Sequence, residues 1–454
     1  MGVRRLDWDG HELHVSTAPH VAFDLVVDGM RYARLVADAG GDARLEVPTS
    51  PSGHDAFAVA IDGGTPVGVR LGRPGLERAS APPSLAALAG DELVPRDRCT
   101  DLSRKVAVIV PVYNEPALVD ACLRAVLAHS GANTQLIVID DASPDPAIAP
   151  LLAGYAGRPG VTVLANPRNL GFSGTVNRGI AEAGRADVVL LNADAEPARL
   201  WLAGLRRAAY ARDDIASATA VSDDAGAFSV PELEQSNPWP AGWTHADAAR
   251  ALWQSAGHDY PRLPTGNGFC LYLKRDALDD VGTFDAEAFP QGYGEENDWC
   301  QRAAARGGTH VIAGNVLVRH ARSRSFGVER RIALGEAGMR VLRERWPNYE
   351  ADVGATLFSH RRRVLDWRVR RLYAGEKPRE RVLCCGGGIT ENREAWTFES
   401  KALRDGNGTV VERGSTPDAF VQWLQRHGIE RVIGAPPPDI AAAALALGIP
   451  VEDA

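Results

Sequence analysis

The chain has 454 residues, 45% of them apolar and 24% charged, which fits a soluble globular protein of several domains and excludes a disordered or fibrous one. Its net charge of −8 and pI near 5.8 exclude a general nucleic-acid binder, because phosphate contacts need clustered lysine and arginine. No apolar run approaches the ~18 residues of a membrane span and MGVRRLDWDGHEL lacks the apolar stretch of a signal peptide, so a cytoplasmic protein is expected, with at most peripheral contact at the inner membrane face.

Residues 1–78 alternate apolar and polar positions in short runs broken by Gly, Asp and Pro, which predicts a small antiparallel β domain. The stretch 79–104, rich in Ala, Pro and charge, reads as a linker. From Lys105 the pattern changes to strand, turn, helix, repeated. VAVIVPVY, LIVIDD, VTVLAN, ADVVLLN and IASATAV read as short buried strands, with helices from Pro116 to just before Gly131 and over roughly 145–157, 171–184 and 197–211. This alternation predicts an α/β domain over 105–330 with a doubly wound, mainly parallel sheet, whose ligands bind beyond the carboxyl ends of the strands. RRIALGEAGMRVLRERWPNY predicts a helix within an extension over 331–375. Residues 379–454 give one more strand–helix rhythm, a small α/β module of the size of a partial Rossmann-like domain. The six cysteines form no CxxC pair, and several sit in apolar periodic segments, so reduced, buried thiols are expected.

The residues that carry chemistry cluster at predicted strand ends. Pro111, Tyr113 and Glu115, after the first buried strand, offer a flat apolar surface and an acceptor suited to a base and ribose. Arg168, Asn169 and Gly171 precede a helix; glycine lets backbone approach a ligand, and a helix N-terminus favours a diphosphate, although the same turn also makes a good helix start. Glu295, Glu296 and Asp298 form an acidic first helical turn, favourable at the positive end of the helix whether or not they do chemistry. Asp141 and Asp194 stand at strand ends, where an N-cap or turn aspartate is equally at home.

The segments VAVIVPVYNEP, VIDDASPD, NPRNLGFSGTVNRG, VVLLNADAEP, TGNGFCLYLKRDAL, GYGEENDWCQR and VLVRH occur in that order along one chain. The ordered set resembles the family 2 nucleotide-sugar glycosyltransferases of bacterial type and GT-A fold, over about residues 105–330. The resemblance implies an inverting transfer of a hexosyl or deoxyhexosyl group from a nucleoside-diphosphate sugar to a glycan, lipid-linked or protein acceptor in cell-surface polysaccharide or glycoconjugate assembly. It implies Asp194 and His320 as ligands of Mn²⁺ or Mg²⁺, imidazole weakly favouring manganese. Asp141 is then the acceptor for the imino N–H of uracil or thymine, which favours a UDP- or dTDP-sugar. Glu296 is the catalytic base, with Asp298 in reserve to take that role, face the acceptor or hold an arginine. A polar loop with Ser323 and Ser325 follows the histidine, as in the family.

Two positions depart from the family pattern. Asn192, in Asn192-Ala193-Asp194, stands where a first aspartate is common, so it is expected to bond ribose or order the turn. Glu296 replaces the usual aspartate and lengthens the base by one methylene. These departures support an alternative, a carbohydrate-binding or scaffold protein that has lost catalysis. A second alternative, a nicotinamide-dependent oxidoreductase, needs a glycine fingerprint where the chain has PVYNEP; CCGGGITEN near the C-terminus does not meet the GxGxxG spacing. Asn407-Gly408-Thr409 matches a glycosylation pattern but is more simply a hairpin signal.

Overall fold

The computed structural model describes residues 3–8, 12–27, 30–46, 57–61, 67–69, 104–257, 260–321, 328–386, 394–399, 402–413 and 416–453. The expected linker up to residue 103, Ser323 and Ser325, and the glycine-rich turn from 387 to 393 lie outside the described residues. The chain divides into two compact units, Met1–Glu92 with Leu357–Gly375, and Leu93–Thr356 with Glu376–Ala454.

In the first unit, β1 (Arg5–Trp8), β2 (Glu12–Ser16) and β5 (Asp42–Glu46) form one antiparallel sheet in the order β1-β2-β5. A second antiparallel sheet has the order β4-β3-β6-β7, from β3 (Ala22–Val27), β4 (Met30–Val36), β6 (Phe57–Ile61) and β7 (Val67–Val69). The period-two pattern is the cause: Leu13 and Val15 of β2 are buried while their neighbours are half-buried. Phe23, Leu25 and Tyr32 share that core with Val364 and Trp367 of the helix His360–Ala374.

The second unit is built on an eight-stranded sheet. β8 (Val106–Val112), β9 (Thr134–Asp140), β10 (Val161–Ala165) and β11 (Asp187–Leu191) lie in the order β10-β9-β8-β11, all parallel. β14 (Cys270–Leu273) follows antiparallel to β11, then β13 (Ile215–Val221) antiparallel to β14. β15 (Thr309–His320) is parallel to β13, and β12 (Ala195–Pro197) closes the edge antiparallel to β15. The helices are α1 (Pro116–His129), α2 (Ile148–Ala153), α3 (Gly171–Glu182), α4 (Trp201–Tyr210), α5 (His245–Ser255), α6 (Arg275–Val281) and α7 (Glu295–Ala304). On one face, Ala107, Ile109, Ile137, Ile139, Val188 and Leu190 pack against Val176 and Ile180 of α3 and Trp299 and Cys300 of α7. Helices α4 and α5 lie against β13 and β15. The expected α/β class with a mainly parallel sheet is therefore what forms, and strands buried on both faces explain the continuous apolar runs.

Two helices differ from the sequence reading. α2 stops at Ala153, and Gly154 leads into turns, so the helix expected over 145–157 is half that length. The helix expected to run through Tyr349 breaks into α8 (Val328–Arg345) and α9 (Tyr349–Leu357), because Pro347 has no N–H and turns the residue before it away from helix. The first-unit helix His360–Ala374 is α10.

The C-terminal strands β16 (Arg381–Cys385), β17 (Glu394–Glu399), β18 (Ala402–Arg404), β19 (Val410–Arg413), β20 (Arg431–Gly434) and β21 (Val451–Glu452) form a second sheet in this unit, in the order β19-β18-β17-β16-β20-β21. Helices α11 (Pro417–Arg426) and α12 (Pro438–Leu447) accompany it. Asn407 and Gly408 sit in the turn between β18 and β19. Cys122, Cys270, Cys300, Cys384 and Cys385 are buried thiols. No helix among the described residues is long and apolar enough to cross a membrane.

Candidate active site

Beyond the carboxyl ends of β8, β9 and β11 lies a cavity of about 510 Å³. Pro111, Tyr113 and Glu115 line it from the end of β8, Asp141 from the end of β9, and Asn169 and Gly171 from the entry to α3. Asn192, Ala193 and Asp194 line it from the turn after β11, and Glu296 and His320 complete the wall. A larger hollow of about 640 Å³, lined by Arg104, Ile215, Lys274 and Arg306 among others, contains none of these residues. We place the site in the first cavity, because open α/β sheets bind ligands at the strands' carboxyl ends.

Strand register brings the two candidate metal ligands together. Ala195 of β12 is the partner of His320 in β15, and the N–H of Ala321 donates to the carbonyl of Asp194 at 3.0 Å. A dozen-residue strand from the far end of the domain is thereby laid beside the turn after β11. His320 Nε2 lies 3.3 Å from Asp194 Oδ1, and both side chains are only 11% exposed. His320 Nδ1 is 2.8 Å from the Asp224 carbonyl, which can only accept, so Nδ1 carries the proton and Nε2 keeps its lone pair toward Asp194. The ring stacks on Phe269 at 5.2 Å, and the His320 N–H donates to Asp223 Oδ1 at 2.9 Å. Such outer partners fix tautomer and orientation at metal-binding histidines.

Among the described residues no group of three His, Cys, Asp or Glu side chains converges to hold a metal. The pair nevertheless fits a divalent cation. Two ligands at about 2.1 Å and right angles stand about 3 Å apart, close to the separation found, and an octahedral ion that keeps waters and takes phosphate oxygens needs few protein ligands.

The acidic turn separates its three carboxylates. Tyr293 (φ 67°) and Gly294 (φ 145°) bend the chain into α7. Glu296 lines the cavity, and its Oε2 is buried without a hydrogen-bond partner. Burial raises its pKa, opposed by hydrogen bonds that include one from Glu295. Glu295 is buried on the same wall, accepts from the Gly294 N–H at 3.1 Å, and is raised further, by burial first and then by the charge of Glu296. The pair is arranged for Glu295 to hold a proton that it donates to Glu296.

Asp298 does not reach the cavity. It is fully buried and accepts from Arg302 Nε at 2.9 Å, Arg345 Nη1 at 3.1 Å and Trp346 Nε1 at 3.0 Å. The reserve assignment of Asp298 as base or acceptor contact is corrected on that ground; it holds arginines and ties α7 to α8. Arg168 is exposed and does not line the cavity, so its placement beside the diphosphate is corrected as well.

On the nucleotide side, Asp141 has two positions at once. It lines the cavity, and its carboxylate accepts from Asn166 Nδ2 at 2.7 Å, the Leu170 N–H at 2.7 Å and the Gly171 N–H at 3.0 Å. It thus caps the entry to α3 and keeps acceptor capacity on Oδ2. Asn192 orders its turn through the backbone: its N–H donates to Phe269 and its carbonyl accepts from Ala195 at 3.0 Å. Asn114 (φ 64°), Glu115 (φ 57°) and Ala142 (φ 55°) are left-handed without being glycine. Backbone of this kind costs energy and gathers at ligand sites. Here Ser143 Oγ takes the Asn114 N–H at 3.0 Å and Asn114 Oδ1 takes the Asp145 N–H at 3.1 Å, locking the two loops together.

Sequence reasoning missed Phe172, Asn267, Phe269, Gln291 and Tyr293, which also line the cavity. Gln291 and Tyr293 flank a glycine just before the acidic turn, and that spacing was a usable signal. Nothing in the sequence marks the Asp224 carbonyl that orients His320.

Residues 107–281 match the family model described as Glycosyl transferase family 2. The chain is similar to the uncharacterized protein y4gI of Sinorhizobium fredii, 39% identical over 112 residues that make up 24% of this chain and only 12% of that protein's length. It is also similar to glycosyltransferase AglE of Haloferax volcanii, 23% identical over 241 residues, 52% of this chain and 73% of that one. Among solved structures it is similar to the mannosyltransferase PcManGT from Pyrobaculum calidifontis in complex with GDP-Man and Mn²⁺, with TM-score 0.39 and 17% identity over 57% of this chain and 73% of that one. The family match supports glycosyl transfer as the chemistry of this part of the chain.

Proposed function

We propose that the chain is a metal-dependent, inverting glycosyltransferase that moves a sugar from a nucleoside-diphosphate sugar to a hydroxyl of a glycan or glycoconjugate, in cell-surface polysaccharide synthesis. The observation that carries this reading is the arrangement of one cavity wall. Asp194 and His320 stand 3.3 Å apart on it, and Glu296 presents a buried carboxylate oxygen without a partner to the same space.

Each residue has a defined task. Asp194 Oδ1 and His320 Nε2 would hold Mn²⁺ or Mg²⁺, and such an ion supplies neutralisation of the charge that grows on a departing diphosphate. Glu296 takes the proton of the acceptor hydroxyl as that oxygen attacks the anomeric carbon from the side opposite the leaving group. Direct displacement of this kind inverts the centre. Tyr113 and Pro111 lie along the base, and Asp141 Oδ2 accepts from its imino N–H, which puts UDP- and dTDP-sugars first. Gly171 and the start of α3 receive the diphosphate.

The test pairs two variants. With Mn²⁺, thermal shifts from UDP-, dTDP- and GDP-sugars select the donor by mass action. Asp194→Ala abolishes the metal-dependent shift. Glu296→Gln keeps it and lowers transfer about 10²–10⁴-fold. Wild-type transfer by Glu296→Gln would sink the base assignment, and donor binding with no turnover in the wild type would favour the non-catalytic alternative.

A further inference from the structure

A second, smaller cavity of about 260 Å³ lies inside the second unit, where the body of the large sheet meets the C-terminal strands. His129 at the end of α1, Arg199 before α4 and His245 at the start of α5 face it from the body. Glu380 and Glu430, which precede β16 and β20, face it from the other side with Arg431.

The carboxylates here are already taken. Glu430 receives Arg250 in two hydrogen bonds, of 2.6 and 3.0 Å, and Glu380 accepts from Arg431 Nε at 3.1 Å. Arg199 is left facing the cavity with a hydrogen bond of 3.5 Å to the Gly448 carbonyl. Two imidazole nitrogens, His129 Nδ1 and His245 Nε2, are buried and have no hydrogen-bond partner. Both rings are neutral near pH 7: burial first, then Arg199 for His129 and Arg319 for His245, push each down to about 4. His245 is hydrogen-bonded to the Leu317 backbone, so its Nε2 is the unprotonated nitrogen.

We infer that this cavity binds hydrogen phosphate, with Arg199 against its negative oxygens and the ring nitrogens of His129 and His245 completing its hydrogen bonds. The choice of anion follows from the donors and acceptors. A guanidinium wants an anionic oxygen, while an unprotonated imidazole nitrogen wants an O–H. Hydrogen phosphate carries both, whereas sulfate has no proton to give and a phosphomonoester dianion has none either. The volume, below the ~300 Å³ at which pockets for larger ligands begin, suits an ion of this size. Bound there, it would bridge the large sheet and the C-terminal strands.

The experiment is a thermal shift on the full chain at pH 7.5 with EDTA present and ionic strength held constant by KCl. Inorganic phosphate at millimolar concentration should raise the midpoint by about 1–3 °C, with sulfate and glycerol phosphate giving no shift above KCl. Arg199→Gln and His129→Phe should each remove the shift, and Asp194→Ala should keep it, which separates this site from the proposed sugar-nucleotide site. In parallel, the imidazole ¹⁵N resonances of His129 and His245 should move with phosphate in the unaltered chain, a readout that needs no variant to fold. An absent shift, an equal shift with sulfate, a shift that survives both variants, or unmoved imidazole resonances would each overturn the assignment.

Discussion

At the scale of single residues, the acidic turn at the start of α7 shows how three neighbouring carboxylates acquire three tasks from their surroundings. Glu296 must be ionised to accept a proton, and burial holds its pKa above the ordinary carboxylate range. The acid limb of the transfer rate should therefore lie above pH ~4.3, the reference for glutamate. A pH–rate profile with its acid limb at or below that value would contradict the buried geometry. For Glu295 the consequence is in stability. A carboxyl whose folded pKa is raised favours the fold below its unfolded pKa, and that contribution is lost as pH rises through the folded value. Glu295→Gln removes the loss, so its urea midpoint relative to the unaltered chain should increase between pH 5 and pH 8; a constant difference would refute the burial of this carboxyl. Asp298→Asn acts on structure alone. It weakens bonds from two arginines and a tryptophan, and should cost about 2–3 kcal/mol by chemical denaturation while donor affinity of the folded fraction is unchanged. The sequence brought all three acids into view, but helix entry decides which reaches the cavity. That entry depends on Tyr293 and Gly294 having positive φ, a fact that no spacing of acidic residues encodes.

At the scale of elements, the parts legible in advance were those whose signal is local. β8, β9 and β11 are buried on both faces and read as apolar runs, and α1 and α3 carry their apolar faces at helical spacing. The antiparallel place of β14 between β11 and β13, and the pairing of the short β12 with β15, were not legible, because both are set by partners far along the chain. That non-local register is also what joins Asp194 to His320, so the motif order named the residues without saying what brings them together. The entry to α3 supplies a test. Gly171 has φ 74°, and a Cβ there would run into the carbonyl of Pro290 in the loop that leads to Tyr293 and Glu295. Gly171→Ala should thus cost more than the ~1–3 kcal/mol of a strained backbone alone, and should weaken donor binding and transfer together, since it pushes apart the α3 entry and the acidic turn. Calorimetry with donor titration checks both; unchanged affinity in a destabilised protein would mean that the two loops are not mechanically joined.

At the scale of the whole molecule, the large sheet and the C-terminal strands behave as one folding unit because the groups at their seam leave little freedom to part. Arg250 and Glu430 are about nine-tenths buried, Trp253 Nε1 donates to the Gln425 carbonyl at 3.1 Å, and the Ala132 N–H donates to Leu445 at 3.3 Å. Removing one partner of a buried ion pair leaves the other charge unsolvated, at about 3–5 kcal/mol. Glu430→Ala should therefore lower a single calorimetric transition rather than release the C-terminal strands as an early, separate one. Gly131→Ala attacks the same seam by a different force, since a Cβ at that position would overlap the Ala446 carbonyl. Each change alone must open or distort the contact. Once one has done so, the other has less left to break, so the double variant should lose less stability than the sum of the two single losses. Strict additivity would show that Glu430 and Gly131 act on independent regions, and a split transition would show that the seam does not hold the two sheets in one cooperative unit.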